Sequence, residues 1–276
     1  IRVWDLETGE SQTLEGHSDV INSVGITADG KKAVSGGNDK TIRVWDLETG
    51  ESQTLEGHSG DSNSVWISPN KRRIVSVSDD LTIRVWDLEN RFFRLRREKR
   101  ATAIEDVSIT PDGFTAVSCG NGALQLWNLD NGTCLTTLLL QDEACFLESV
   151  LKFSVSLDMG VEPKGILENR DYFTTASVSA DGKLAVSGTR YAGLSVWDLE
   201  RGQLIRQFYG HTDTVTSVAL SAHGKIMASA SMDNSLRVWN VENGLSIPEN
   251  RAHNYQVESV CLANDGGNAV SVSYDG

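Results

Sequence analysis

Residues 1–18 read IRVWDLETGESQTLEGHS, and residues 42–59 repeat them letter for letter. A chain that copies itself at a fixed interval is built from one recurring unit, and that unit constrains every later reading. Its marker is a Trp followed by Asp or Asn, at Trp4, Trp45, Trp86, Trp127, Trp197 and Trp239. Successive markers lie 41, 41, 41, 70 and 42 residues apart. The 37 residues after Trp239 and the four up to Trp4 add one more step of 41. Head and tail thus amount to a single unit.

The texture of the unit is β. In residues 17–46, Val20–Thr27 is a predicted strand and Ala28-Asp29-Gly30 a turn. Lys32–Gly36 is a second strand, closed by Gly37-Asn38-Asp39, and Thr41–Trp45 is a third with alternating apolar and polar residues. Ser52–Leu55 of the next unit supplies a fourth. No helical period is sustained. Four short antiparallel strands per ~40 residues make one blade of a propeller.

The Gly-His start, the Asp-Gly turn and the Trp-Asp end of the unit resemble WD40 repeats. The resemblance covers nearly the whole chain except about residues 136–165. The near-identity of the units is similar to the tandem WD40 arrays of bacterial multidomain proteins. The fold implied is an all-β, WD40-like β-propeller occupying residues 1–276 as one domain. Six repeats are clear. The 70-residue interval from Trp127 to Trp197 exceeds one unit and falls short of two. Its second half, Asp171–Asp198, aligns with Asp19–Asp46, and Leu147-Glu148-Ser149-Val150 echoes Val257-Glu258-Ser259-Val260. The count favours seven blades, one of them degenerate, with a six-bladed ring carrying an insertion as the alternative. The chain opens on the third strand of a blade and ends on the second, so both termini are expected to share the closing blade. One residue, equivalent to Thr41, is absent between Gly276 and Ile1. Ile1 in first place is read as the start of a piece of a larger protein.

The resemblance also gives the polar residues a role. In WD40 repeats a His, a Ser or Thr, an Asp and the Trp form a hydrogen-bonded chain inside the blade. The matching residues are His17, Ser35, Asp39 and Trp45; His58, Ser76, Asp80 and Trp86; and His211, Ser229, Asp233 and Trp239. The closing blade would use His253, Ser271, Asp275 and Trp4. Two blades depart from the pattern. Arg100 holds the His position before Trp127, while Asn169 and Tyr191 replace the His and Asp before Trp197. A Ser/His/Asp set invites comparison with a hydrolase triad. Four copies around a ring are structural instead, and neither a Gly-x-Ser-x-Gly elbow nor an oxyanion-hole motif is present.

Composition narrows the partners. With 25 basic and 38 acidic residues the net charge is −13, which excludes a general nucleic-acid-binding face. No apolar run is long enough for a membrane span. Cys119, Cys134, Cys145 and Cys261 show no CxxC spacing and are read as reduced thiols, as in a cytoplasmic protein. No metal site or cofactor is expected, because one histidine, His223, remains outside the tetrads and the Asp-Gly turns lack further oxygen ligands.

WD40 proteins often bind partners on the face where strands one and three begin. Carried across, the candidate residues are Asn22 and Asn38, Asn63 and Asp79, Thr216 and Met232, and Glu258 and Tyr274, with Glu105, Thr174 and Arg190 in the degenerate blades. A second candidate is the stretch 91–100, RFFRLRREKR, with six basic residues and one acidic on an acidic body. Arg94, Arg96 and Arg97 there suit an acidic or phosphate-bearing ligand, or equally a charged edge strand that resists unwanted pairing. The function implied is non-catalytic: a monomeric scaffold or sensor module binding a protein or peptide, attached to a larger protein with an NTPase or kinase domain elsewhere. An enzyme using the central channel and a purely structural assembly module stand as alternatives.

Overall fold

The computed structural model describes residues 1–5, 8–27, 29–68, 72–88, 104–110, 112–120, 123–139, 172–246, 253–263 and 265–275, and the backbone alone for 93–97 and 247–250. Among these residues there is no helix, and hence none that could cross a membrane. Five four-stranded antiparallel sheets follow one another along the chain. The first is β3 (Ile21–Ile26), β4 (Lys32–Gly37), β5 (Ile42–Asp46) and β6 (Ser52–Leu55). The second is β7 (Ser62–Ile67), β8 (Arg73–Ser78), β9 (Thr82–Asp87) and β10 (Phe93–Arg97). The third is β11 (Asp106–Ile109), β12 (Thr115–Gly120), β13 (Ala123–Asn128) and β14 (Thr133–Leu139). The fourth is β15 (Phe173–Val178), β16 (Leu184–Thr189), β17 (Leu194–Asp198) and β18 (Gln203–Phe208), and the fifth β19 (Val215–Leu220), β20 (Ile226–Ser231), β21 (Leu236–Asn240) and β22 (Ser246–Asn250). The predicted strands of the first sheet differ from these by one residue at most at either end.

The hairpins explain the Asp-Gly signal. After β3, Gly30 takes φ 68°, where a side chain would be strained, and its N–H closes the turn on Thr27. Thr27 donates its hydroxyl to Asp29 at 2.7 Å, fixing the turn from its side chains. Thr110, Asp112 and Gly113, and Ser179, Asp181 and Gly182, repeat the device.

Each sheet buries both faces, so its middle strands are almost continuously apolar or small. Val34 and Ile42 of the first sheet pack on Val65 and Ile67 of the second. Val75 and Val77 pack on Val107 and Ala116 of the third, and Val186 and Leu194 of the fourth on Val215 and Met227 of the fifth. The third and fourth sheets also meet directly, through Val117, Leu124 and Leu138 against Phe173, Ala176 and Trp197. The degenerate seventh blade expected between them falls on residues 140–171, outside the described residues. No sheet stands between the third and fourth among the described residues, because their apolar faces already cover each other. Most of the irregular segment 136–165 lies outside the described residues, apart from the end of β14.

The expected closing blade is corrected. The N-terminal strands β1 (Arg2–Trp4) and β2 (Ser11–Thr13) form a two-stranded sheet, and β23 (Val257–Leu262) with β24 (Ala269–Ser273) forms another. The first rests on sheet one through Ile1, Val3 and Leu14 against Ala33 and Trp45. The second rests on sheet five through Val257 and Val260 against Ala228 and Ala230. No ladder joins β1 to β24. The physical reason is that each pair is held by a hairpin and its own neighbouring sheet, whereas the join between them has no short connection to enforce it.

Candidate functional site

The tetrads are built where a loop, a middle strand and a Trp strand meet. Trp45 Nε1 donates to Ser35 Oγ at 2.7 Å. The Ser35 hydroxyl lies 2.7 Å from His17 Nε2, and His17 Nδ1 lies 2.7 Å from Asp39 Oδ2. A carboxylate only accepts, so Nδ1 carries the proton and Nε2 accepts from the serine. The second sheet repeats this with Trp86 to Ser76 at 2.9 Å, Ser76 to His58 at 2.8 Å and His58 to Asp80 at 3.0 Å. The fifth repeats it with Trp239 to Ser229 at 2.9 Å, Ser229 to His211 at 2.7 Å and His211 to Asp233 at 2.9 Å. Burial pushes Asp39 up, but hydrogen bonds from Thr41, His17 and Ser18 outweigh it and hold the carboxyl at about 2. Asp80 and Asp233 are held at about 2 against the same burial, by Thr82, Ser59 and His58 and by Ser235, Thr212 and His211. Burial pulls His58 below its ordinary value in spite of Asp80, so the ring is neutral. Ser35, Ser76 and Ser229 are wholly buried, which leaves no path for a substrate to reach these hydroxyls.

The Gly-His signature has a packing cause. Arg43 stacks over Trp45 with its guanidinium carbon 5.8 Å from the ring centre, and Arg237 over Trp239 at 6.0 Å. A Cβ on Gly16 would lie 2.5 Å from Arg43 and 3.0 Å from Trp45, and one on Gly210 would lie 2.9 Å from Trp239. The glycine before the histidine therefore makes room for the Arg–Trp stack. The sequence has Ala252 in front of His253.

Outside these three sheets the tetrad is partial. Trp127 donates to Ser118 at 2.8 Å and Trp197 to Ser187 at 3.0 Å, while Arg100 and Asn169 lie outside the described residues. Tyr191, at the Asp position, is 53% exposed. In the C-terminal pair His253 bonds Ser271 at 2.8 Å and Asp275 at 3.0 Å. Trp4 is 55% exposed and makes no hydrogen bond to Ser271.

The candidate binding positions divide into two groups. One group ties sheets together. Asn22 donates to Asn38 at 2.7 Å and to the Ser62 carbonyl of the next sheet at 3.0 Å. Asn63 does the same toward Asp79 at 2.8 Å and the Ile104 carbonyl at 3.0 Å. Thr174 donates to the Val215 carbonyl and Thr216 to the Val257 carbonyl. The other group faces outward: Asp79, Glu105, Arg190, Met232 and Tyr274 are exposed, the last at 72%. Glu105 is raised, by burial first and then by the Asp79 charge. Glu258 is half-buried. Arg94, Arg96 and Arg97 pair along β10 with Val85, Ile83 and Thr82 on β9, an edge strand as expected; their side chains and the rest of 91–100 lie outside the described residues.

A second set of links, one residue further on, is absent from the sequence reading. Ser23 Oγ accepts from Val65 N–H at 3.1 Å, and Ser217 from Val260 N–H at 3.2 Å. At the same place the third sheet has Asp106. Its carboxylate accepts from Ser64 at 2.7 Å, Val107 N–H at 2.8 Å, Ala176 N–H at 3.0 Å and Thr175 at 3.2 Å. One side chain thus fastens three consecutive sheets. Burial raises Asp106 while all four donors favour its charged form. Aligning the repeats shows the signal: an Asp where the others have Ser23, Ser64, Thr175, Ser217 and Ser259. Among the described residues no cluster of His, Cys, Asp and Glu suits a metal ion. Cys119 is buried, Cys134 half-buried and Cys261 exposed, all as free thiols, and Cys145 lies outside the described residues.

The WD40 family model, described as WD domain, G-beta repeat, matches residues 9–46, 50–87 and 202–240. Each match runs from the outer strand of one sheet through three strands of the next. The three sheets so matched are those with complete tetrads. Mitochondrial division protein 1 of Saccharomyces cerevisiae, in strains YJM789 and ATCC 204508 / S288c, is 28% identical over 118 residues. That stretch is 43% of this chain and 16% of each relative's length. At these three stretches, each centred on a sheet with a complete tetrad, the chain carries WD40 repeats.

Proposed function

We propose that the chain is a non-catalytic platform that binds a peptide or protein partner on the rim between the second and third strands of its sheets. WD40 repeats imply a protein-interaction scaffold. The finer reading rests on one observation: Tyr191, Met232 and Tyr274 stand exposed in equivalent turns of three successive units, at 53%, 42% and 72%. Large side chains exposed in the same turn of three successive units form a contact surface rather than scattered exceptions. The Thr174 and Thr216 links to the next sheet lie beneath them, so the rim is ordered before a partner arrives and binding spends less on ordering it. The buried serines favour scaffold over hydrolase. A cytoplasmic site of action and attachment to a larger protein complete the reading.

The test is a displayed random-peptide library panned on the immobilised chain. Enriched peptides should lose about tenfold or more in affinity on Tyr274→Asp or Met232→Asp, as central contact residues do. They should be indifferent to Leu139→Asp on the outer strand β14, which is as exposed as Tyr191. Peptides indifferent to all three changes, or none enriched, would overturn the rim as the binding surface.

A further inference from the structure

The two ends of the sheets treat their carboxylates differently. The turns joining first to second and third to fourth strands share one end, the lower rim. Carboxylates there are matched with cations: Lys31 and Glu48 at 2.6 Å, Lys183 and Glu200 at 3.2 Å, and Lys225 and Glu242 at 3.7 Å. Asp130 pairs with Arg73 of the preceding sheet. On the upper rim Asp79 and Glu105 are exposed, and among the described residues neither forms an ion pair with a Lys or Arg. They come from neighbouring sheets and still sit side by side. Asn63 Nδ2 donates to Asp79 Oδ1 at 2.8 Å and to the carbonyl of Ile104, the residue before Glu105, at 3.0 Å. Burial and then the Asp79 charge raise Glu105, and the Arg190 charge of the fourth sheet opposes them. Like charges kept together without a counter-ion mark a place where function outweighs stability. The rim then runs on to larger side chains. Thr214 of the fifth sheet donates its hydroxyl to the Arg190 carbonyl at 3.0 Å, and Met232 N–H donates to the Thr214 carbonyl at 2.9 Å. Asp79, Glu105, Arg190, Tyr191 and Met232 therefore follow one another over four successive sheets.

We propose that this arc takes a partner segment carrying a Lys or Arg beside a large apolar residue, the cation against Asp79 and Glu105 and the apolar side chain against Tyr191 and Met232. The inference rests on the rim being the binding surface and adds the chemistry of what it takes. Charge decides the class. Two carboxylates without a counter-ion gain from an incoming cation and repel an acidic segment. The net charge of −13 draws basic segments from a distance in the same sense. Arg190 sets the boundary, because it repels a cation placed beyond Glu105. The cation settles at the carboxylate end of the arc, and the Tyr191 and Met232 end is left to the apolar residue.

The test takes peptides enriched from the displayed random library and measures them as free, end-blocked synthetic peptides. Their shared pattern should hold a Lys or Arg next to a large apolar residue. Asp79→Asn combined with Glu105→Gln should weaken them about five- to tenfold. An amide at position 79 still accepts the Asn63 bond, so the near-ultraviolet Trp signal should be unchanged. Replacing the peptide's basic residue by Ala should cost the wild type a similar factor and cost the double variant almost nothing, which ties the cation to these two carboxylates. Arg190→Met should tighten the same peptides. Peptides that lose affinity on Met232→Asp but are indifferent to the carboxylate substitutions would overturn this inference and leave the rim as the binding surface. Acidic peptides that depend on Arg190 would overturn it in the same way. Peptides indifferent to Met232→Asp, or none enriched, would overturn both readings.

Discussion

The fifth sheet and the C-terminal strand pair carry the same His, Ser and Asp and differ in one respect: the Trp strand is present in the first and absent from the second. In the fifth sheet the His211 and Asp233 side chains are 0% and 7% exposed. In the pair, His253 and Asp275 are 19% and 17% exposed, with the same bonds made. The Ser–His–Asp contacts therefore form locally, from the loop before the first strand and the second strand. Sheets three and four show the converse, a Trp–Ser bond beside a position where the sequence has no His. The two halves of the tetrad are separable. What the Trp strand adds is exclusion of water, and with it the strength of every bond beneath.

The largest expected effect breaks that comparison at the indole. Trp239→Ala removes a buried ring and the donor to Ser229, and should cost about 3–5 kcal/mol in urea denaturation. Trp4→Ala removes a ring that is 55% exposed and should change stability by no more than about 0.5 kcal/mol. Equal losses would show that Trp4 is buried in solution. Next in size is Asp106→Leu, which strands the donors of Ser64, Thr175 and Ala176 across two sheet junctions. It should cost about 1–3 kcal/mol. Ser217→Ala frees a single N–H at one junction and should cost about 1 kcal/mol or less. A ranking reversed between these two would deny Asp106 its role as the link among three sheets.

The blade was legible because its determinants are local. Alternation sets the strands, Gly30 and its equivalents set the turns, and the His, Ser, Asp and Trp recur at fixed offsets. The relations between sheets were less legible. Asn22, Asn63, Thr174 and Thr216 look like free loop residues in a linear sequence, because the carbonyls they bond lie one unit away. Asp106 needed the repeats laid over one another before it stood out. The open closing blade was not legible at all. Sequence complementarity between β24 and β1 is real, but pairing also depends on how the intervening sheets stack. That is a sum over many small packing angles which no single residue encodes.

Smaller effects sharpen the contrast. Gly210→Ala drives a Cβ to 2.9 Å from the Trp239 ring and 3.0 Å from Arg237. The Arg can shift but the ring cannot, so the loss should be about 1–2 kcal/mol by thermal melting. The sequence tolerates Ala252 in front of His253, where no Trp is seated on Ser271. The contrast between Gly210 and Ala252 thus follows the presence of the indole.

The smallest effect is a pH dependence. Asp39, Asp80 and Asp233 are held at about 2 in the folded chain against an ordinary 3.8. A carboxyl depressed by folding binds its proton more readily when unfolded. Its contribution is complete above pH 3.8 and disappears as pH falls through about 2. His58 has the same sign, since burial depresses it from 6.5 and acid favours the unfolded ring. The thermal midpoint should therefore decline on acidification below neutrality and fall more steeply between about pH 4 and 2. Asp233→Asn should flatten the lower part of that curve. Asp275→Asn should flatten it less, because solvent already screens the more exposed pair that Asp275 forms with His253. If the two substitutions flatten the curve equally, the C-terminal pair is as well sealed in solution as the fifth sheet, and some surface must be covering it.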